Sequence, residues 1–598
     1  MKEFRLNTLI SKPEALPADM GGLDPPDKKE MLQRISLLKQ KQRPYLERWE
    51  AIRDYELPFL GEFEGEDNAE SKADRRDLAI ANGVSWLADQ AFAAGIMSGL
   101  TPPSRQWFKF GFSNADISDI EAERVLDERQ AILEAALHRS NFYNTIHSCY
   151  LELPFGQAPV GVFPSPETGV RFQTYTVGTY YIDSSAGNRI NTFARKVKMS
   201  ADQILQRFGP DHLPLKVKDA LDNASRRYAQ NFDVWWLVMP RTKRSGTGSS
   251  KDMPFQSLYW VDGQGNDENG GFLYVGGFEE FPVLVGRYQV TGNDTYGKGP
   301  GWYAEGDSKS LQYMKKDFLT AVELTVKPPM VADANTYQKG VNLYPGGVTV
   351  GNNAMGQVGV APLFQVQNNL QWMTAEIQRL EDTIKRTYSA DLFLMLDSVD
   401  TPQMTAREVM ERQQEKLQQL GPVVERLQDE FLTPMIERTY NILERENAFP
   451  PLSQDVAERL AEADVKIEYI SPLAQAQKMS GLVNIEQALG FVGQMAQLYP
   501  EAMKMVDPLG TVKRYFDLLG APAAMQRSVE DAQKLIEAEV EDAQKLIEAE
   551  QEAMQQQQQE QASAPAAQAA KNLTDAARDG NPALQQTLGM NASGAPMV

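Results

Sequence analysis

The chain has 598 residues, 42% hydrophobic and 24% charged, with 34 prolines and 43 glycines, the composition of a globular protein of several domains. Its one cysteine, Cys149, excludes a disulfide framework and a cysteine-built zinc cage, and three histidines (His138, His147, His212) argue against a histidine-rich metal site. A net charge of −21 makes the chain as a whole a poor ligand for nucleic acid.

The opening MKEFRLNTLISKPEALPADM has no apolar core of the kind a signal peptide carries. The most apolar stretch, Gly83 to Leu100, contains Trp86, Asp89 and Gln90 and is too short and polar to span a bilayer. A soluble chain from a reducing compartment, with no membrane contact, is expected.

In chain order, the first predicted helix opens where Asp27 and Glu30 have capping-box spacing, and it runs to about Leu57-Pro58. A second amphipathic stretch covers Arg75 to Leu100 and stops at Thr101-Pro102-Pro103. A third opens at Ser118, with Glu121 three residues on, and continues through Ile132, Leu133 and Leu137.

From about Pro154 to Tyr288 the period becomes that of strands. The runs Val170–Val177, Phe232–Val238 and Phe255–Val261 are β-branched and aromatic and are separated by Gly, Asn and Pro turns, which predicts antiparallel pairing. Asp262 to Gly270 fits neither dinucleotide nor EF-hand spacing and reads as a hairpin turn. Arg241 to Lys251 reads as an exposed loop.

Beyond Gly301 helices return. Asp307–Val326 is one helix, stopped by Pro328-Pro329, and Asn368 to about Ser389 is another. Between them lies a Gly/Val/Asn-rich insert, Val331–Gln365, with short strand-like pieces. A segment ending at Asp400 is broken by Thr401-Pro402. Thr405 and Glu408 then open a long helix to about Glu446, with a kink expected at Gly421-Pro422.

Near the C-terminus an 11-residue unit, Val529 to Glu539, recurs identically at Val540 to Glu550. Eleven residues make three turns at about 3.67 per turn, so both copies present the same face. Val529, Ala532, Ile536, Val540, Ala543 and Ile547 form one narrow apolar stripe. Glu530 with Lys534 and Glu541 with Lys545 are favourable i,i+4 pairs. Residues 529–552 hold nine acids and two lysines. This helix needs partners for its stripe, and the Gln/Ala/Gly-rich end after it is expected to be disordered.

The chain lacks the chemistry of the common catalytic motifs. No GxxxxGK[ST], HExxH, GxSxG or CxxC occurs; Gly297-Lys-Gly-Pro-Gly301 comes nearest to a phosphate loop and fails on spacing. His147 and Cys149, two apart on a helix, face different ways and read as structural. The adjacent acids Glu381 and Asp382 read as a solvated face. Trp86, Trp107, Trp235, Trp236 and Trp302 read as core or interface anchors. No catalytic, cofactor or metal residues are assigned. Two small basic clusters, Lys315-Lys316 and Lys385-Arg386, lie on the helices flanking the insert. Inter-helix salt bridging carries more weight for them than contact with DNA.

Several stretches make the chain resemble the portal, or head-to-tail connector, proteins of short-tailed phages. They are IANGVSWLADQAFAAGIMSGLTPPSRQWFKF from Ile80, FPVLVGRYQVTGNDTYGKGPGWYAEGDSKSLQYMKKDFLTAVEL from Phe281, DLFLMLDSVDTPQMTAREVMERQQEKLQQLGPVVERLQDEFLTPMIERTYNIL from Asp391 and, more weakly, IEYISPLAQAQKM from Ile467. The resemblance spans roughly residues 25 to 520 and leaves out the repeat.

The resemblance implies an α+β portal fold. A wing covers 1–300, strand-rich from about 154, followed by a stem helix at 301–327, a clip at 328–366 and a second stem helix at 367–390. A tunnel loop follows at 391–404, then a kinked wing helix at 405–450, a crown at 451–525, a barrel helix at 526–555 and a tail at 556–598. It also implies a ring of twelve subunits at one capsid vertex, placed in the virion after assembly in the host cytoplasm. Double-stranded DNA would pass through the ring non-specifically. The partners implied are the terminase large subunit, tail adaptor or connector proteins, the major capsid protein, and scaffolding or internal core proteins.

Asp397, Ser398, Val399, Asp400 and Thr401 would face the channel, where acidic walls repel phosphate spaced at about one charge per 1.7 Å. Lys315, Lys316, Lys385 and Arg386 would lie near DNA or pair between subunits. Two other readings compete: an assembly scaffold acting through the acidic coiled coil, and a magnesium-dependent nuclease built on clustered carboxylates.

Overall fold

A computed structural model describes residues 27–63, 80–112, 120–242, 253–263, 271–332, 360–362, 370–390, 420–451 and 465–470, with shorter stretches between 488 and 572. Two compact units divide the chain, Met1–Ile485 and Glu486–Val598. The fold is α+β, and the strands lie in open sheets.

Helix α1 (Lys28–Tyr55) starts where the sequence predicts. The Asp27 carboxylate accepts from the backbone N–H of Lys29 at 3.0 Å, one residue short of the capping-box partner. Helix α2 (Val84–Leu100) begins later than the expected Arg75. The Asn82 side-chain oxygen accepts from the Val84 N–H at 2.9 Å and fixes the start there. The expected stop at Thr101 holds. Strand β1 (Phe108–Phe112) was not foreseen, and neither was its antiparallel partner at Val465–Tyr469. Helix α3 (Ile120–Arg139) follows; its expected opening at Ser118 lies outside the described residues. Helix α4 (Phe142–Glu152) leads into the strand region.

There, β2 (Gln157–Ser165), β3 (Gly169–Thr174) and β9 (Val283–Arg287) form a three-stranded antiparallel sheet in the order β3-β2-β9. A five-stranded meander consists of β4 (Tyr180–Ser184), β5 (Ile190–Ser200), β6 (Asn231–Pro240), β7 (Phe255–Val261) and β8 (Phe272–Phe278). The β7–β8 pairing makes the segment from Asp262 a hairpin connection, as its turn residues suggest.

The region is not purely strands. Three short helices, α5 (Ala201–Phe208), α6 (Leu215–Asp222) and α7 (Ala224–Ala229), lie between β5 and β6. Ser200 and Gln203 close a complete capping box at the first of them, a signal present in the sequence and overlooked.

Period-two alternation places neighbouring tryptophans on opposite faces of the meander. Trp236 stacks on Tyr259 on one face, and Trp235 stacks on Trp260 on the other. On the Trp235 side, Met31, Ile35 and Leu38 of α1 cover Tyr181, Leu237 and Leu258. The Trp236 face shares a core with Trp49 and Ile52, from the other end of α1.

Helix α8 (Pro300–Val326) starts seven residues before the expected Asp307, because Pro300 fits a first helical turn. A short hairpin, β10 (Met330–Ala332) with β11 (Val360–Pro362), separates it from α9 (Leu370–Thr387). Within 405–446, the described residues form α10 (Gly421–Leu427), a π-turn at Gln428–Leu432 and α11 (Thr433–Arg445). Gly421-Pro422 opens the described part of this segment with proline in the first turn, and the residues before the expected kink lie outside the described residues. A further irregularity follows, at the π-turn before Pro434. Strand β12 (Val465–Tyr469) closes the ladder with β1.

In the second unit, residues 488–495 and 510–512 are helical, as are the described residues between 534 and 554. Ile536, Ala543 and Ile547 of the repeat stripe are helical and exposed. Val529, Ala532 and Val540 lie outside the described residues.

Candidate functional site

The candidate site is the helix pair α8–α9 with the hairpin at its tip. The Tyr388 hydroxyl, just past α9, lies 3.2 Å from where a Cβ on Gly301 would stand, so the end of α9 meets the start of α8 and the two helices are antiparallel. Leu311, Ile377, Leu380 and Ile384 join the main core between them.

The root of this pair is held by directional polar contacts. Gln312 of α8 accepts from the backbone N–H groups of Ala81 and Asn82 at 2.8 and 2.9 Å, and it donates to the carbonyls of Tyr55 and Asn82 at 3.2 and 2.8 Å. All four hydrogen-bonding positions of one amide are thus filled. Asn82 also donates to Glu381 of α9 at 2.6 Å, and the hydroxyls of Ser85 and Ser308 lie 3.0 Å apart. Arg48 of α1 pairs with Glu305 at 2.5 Å. Glu381, expected on a solvated face, is therefore a tether, while Asp382 is exposed beside Lys385. Ser308 and Gln312 continue the buried stripe of Gly301, Ala304 and Leu311, which is the signal that could have marked them.

Beyond Gln312 the pair emerges from the core. Tyr313 is 58% exposed, Leu319 50%, Val326 72% and Trp372 64%, and Met330 and Val331 of the hairpin are exposed as well. Large apolar groups at this density form a surface that calls for a partner.

The basic residues predicted on these helices lie on this emergent half and on the last turn of α9. Lys315 is half-buried with its ammonium 5.7 Å from the Phe318 ring centroid, and Lys316 is exposed. Lys385 lies 3.9 Å from Asp382 of its own helix, and Arg386 is exposed in the terminal turn. Neither Lys316 nor Arg386 has an ion-pair partner among the described residues. Among the described residues these four form no salt bridge between the two helices. Asp397, Ser398, Val399, Asp400 and Thr401 lie outside the described residues, as does most of the insert at 331–365.

Other sequence-level candidates resolve as structure. In the Gly297-to-Gly301 segment a Cβ would meet backbone at once: 2.2 Å from Gly156 O at Gly297, and 2.2 Å from Leu153 O at Gly299. These glycines serve close backbone packing, not phosphate. Cys149 is buried with its thiol 3.6 Å from the Ala158 carbonyl, and burial pushes its pKa well up, so it is no thiolate nucleophile. Trp107, Trp235 and Trp236 are buried, and Trp86 and Trp302 are partly so. Among the described residues no group of three or more His, Cys, Asp and Glu side chains could hold a metal ion. No helix among them is long and apolar enough to cross a membrane.

Comparison with known proteins agrees with this geometry. Residues 28–526 match the family of bacteriophage head to tail connecting proteins, a span that opens at the first residue of α1 and closes just before the repeat. The chain is similar to the portal protein of Salmonella phage epsilon15, 32% identical over 577 residues, 95% of this chain and 99% of the relative. It is also similar to the probable portal protein of Bordetella phage BPP-1, 30% identical over 497 residues, 83% of this chain and 88% of the relative.

Proposed function

The chain belongs to the bacteriophage head-to-tail connecting protein family, and we propose that twelve copies close into a ring whose stem pairs line a channel for double-stranded DNA. Membership gives it the role of a portal: a structural component of the virion capsid that assembles with copies of itself and meets capsid and tail proteins.

The observation that carries the ring is the half-exposed helix pair. Its root is fixed in the body, and its outer half exposes Tyr313, Leu319, Val326 and Trp372. A face of this kind that meets a different face on the next copy closes into a ring when the rotation is right. α8 and α9 are then the stem helices, and the β10–β11 hairpin is the base of the clip. The clip is where the terminase large subunit docks during packaging and tail adaptor proteins dock afterwards. Residues 391–404 form the tunnel loop, with Asp397 and Asp400 keeping the wall acidic. Lys316 and Arg386, without an ion-pair partner among the described residues, bond acids of the neighbouring subunit or touch DNA.

Residues 451–525 form the crown, and the repeat helix extends it as a barrel whose stripe is buried by adjacent copies. An 11-residue period gives that barrel a right-handed twist. Assembly takes place in the host cytoplasm. The alternative of an elongated scaffold fits poorly with a body that holds a three-stranded sheet, a five-stranded sheet and three apolar cores.

The native mass of the purified protein, with negative-stain images, tests this reading. Twelve copies of 66.8 kDa weigh about 800 kDa. Rings of that mass, with a hole wide enough for a duplex, support the portal ring. A rod or a small oligomer that never closes, even with capsid and scaffolding proteins present, overturns it. Neutralising Asp397 and Asp400 together leaves the rings intact; loss of rings would remove those residues from the tunnel loop.

A further inference from the structure

Three carboxylic acids are buried where the end of α1, helix α2, helix α4 and the stem root converge. Glu56 follows the last turn of α1 and is 1% exposed. Its Oε2 accepts from the Tyr388 hydroxyl at 2.5 Å and the Ser308 hydroxyl is a second, weaker donor to this carboxyl, while its Oε1 meets no partner in hydrogen-bond geometry among the described residues. Asp89, on the largely apolar buried face of α2 that it shares with Ser85, is fully buried, and neither of its carboxyl oxygens has a partner among the described residues. Glu152, at the end of α4, accepts from the Val177 N–H at 3.1 Å.

The charges these acids feel are those of other acids: Asp89 feels Glu152 and Glu56, and Glu56 feels Glu305. Three cations of α1 and α8 are engaged with other acids, and Lys316 and Arg386 are exposed at the surface. Arg48 and Lys309 pair with Glu305, and Arg53 pairs with Asp54. The remaining groups facing the cluster are the buried Tyr180, Tyr388 and Cys149, which add no positive charge.

We propose that Glu56, Asp89 and Tyr388 form a protonation-dependent latch between the wing and the stem root. An unpartnered carboxylate in such a site would carry a large desolvation cost, so the closed junction holds Asp89 and Glu56 as neutral acids. The direction of their acidity agrees: burial raises both well above ordinary carboxyl values. When a proton leaves either acid to solvent, the charge stays in the apolar seam until the seam opens to water. The elements that must part are those carrying the polar clamp, with Asn82 and Ser85 on one side and Ser308, Gln312 and Tyr388 on the other. Alkaline conditions therefore loosen the stem root before they unfold the sheets.

Hydrogen exchange on the full chain from pH 6 to 9, corrected for the intrinsic pH dependence of exchange, tests the latch. Protection in 84–90, 308–312 and 384–388 falls as pH rises, by up to about tenfold per pH unit for each proton released, while protection in β5–β7 stays level. Asp89→Asn, which leaves Glu56 as the one latch acid able to ionise, makes that fall shallower. Equal pH dependence in the wild type and Asp89→Asn, or loss spread evenly over the sheets, overturns the proposal. An infrared band from buried protonated carboxylic acids in the wild type at pH 7 is a second readout that does not depend on the variant folding. Its absence also overturns the latch.

Discussion

Arg287 and Glu430 close a two-pronged salt bridge in the wall of the body. Nε of Arg287 donates to Oε2 at 2.8 Å and Nη2 donates to Oε1 at 2.9 Å. Arg287 is 1% exposed, at the end of β9, and Glu430 stands on the π-turn between α10 and α11. The same guanidinium also donates to the carbonyl and side-chain oxygens of Asn188 at 2.7 and 3.1 Å. The π-turn offset aims Glu430 at β9, so one pair joins a sheet edge to the helix that crosses it.

Removing one partner leaves a buried, uncompensated charge. Glu430→Ala should destabilise the chain by about 3–5 kcal/mol. The double variant Arg287→Met with Glu430→Leu should cost well under the sum of the single changes, because no charge is then stranded. A double-mutant cycle by denaturant unfolding measures this, and additive single effects would show that the fork carries no coupling.

Gly156 has φ of +109°, and a Cβ there would stand 2.1 Å from the Gly297 carbonyl oxygen. Backbone cannot yield as a flexible side chain can, so Gly156→Ala should abolish the folded body. Gly209 also has a positive φ, +76°, but faces open space. Gly209→Ala should therefore cost only about 1–2 kcal/mol of backbone strain. Comparing the yield and melting temperature of the two variants separates close packing from strain.

Glu152 predicts a pH dependence of stability. Burial lifts its pKa from 4.5 to about 7. The folded state therefore holds the proton more tightly than the unfolded chain. The stabilisation is fully present below about 4.5 and is lost as pH rises toward 7. Two and a half units correspond to roughly 3 kcal/mol across that window. Glu152→Gln, which cannot ionise, should flatten the unfolding free energy between pH 5 and 7. A wild-type profile that does not fall with pH in this range would place the charge elsewhere.

Periodicity made much of this architecture readable from the residues. The strand Phe255–Val261 coincides with its predicted bounds, and α9 lies within the predicted 368–389, while α8 ends at the predicted Val326 but starts seven residues early. Local grammar fails where the deciding contact is remote. β1 is a strand because Val465–Tyr469 pairs with it, and nothing near Phe108 announces that partner. The polar root is similar: Gln312 is an unremarkable helical residue until Asn82 and Tyr55 are brought beside it. In the sequence Asp89 is only a polar interruption in an apolar run, since burial without a partner is a property of the fold alone. The basic clusters illustrate a different limit. Their spacing suggests inter-helix pairing, but Lys385 lies beside Asp382 on its own helix and Lys316 is exposed, with no ion pair between the two helices from either among the described residues.

The exposed residues on the outer half of α8 and α9 give the sharpest test of assembly. Leu319 and Trp372 are 50% and 64% exposed in the single chain, so changing them removes little from its own core. In a closed ring the same side chains are buried against a neighbour, each contributing roughly 2 kcal/mol per interface. Leu319→Glu or Trp372→Glu forfeits that burial and also sets a carboxylate in an apolar contact, which costs further free energy. Since about 1.4 kcal/mol is tenfold in association, either change should move the equilibrium by well over tenfold at every interface. The expected result is a chain that sediments as a monomer or short arc while its melting temperature stays within a few degrees of wild type. Rings that form normally in both variants would move the subunit interface off this face of the stem.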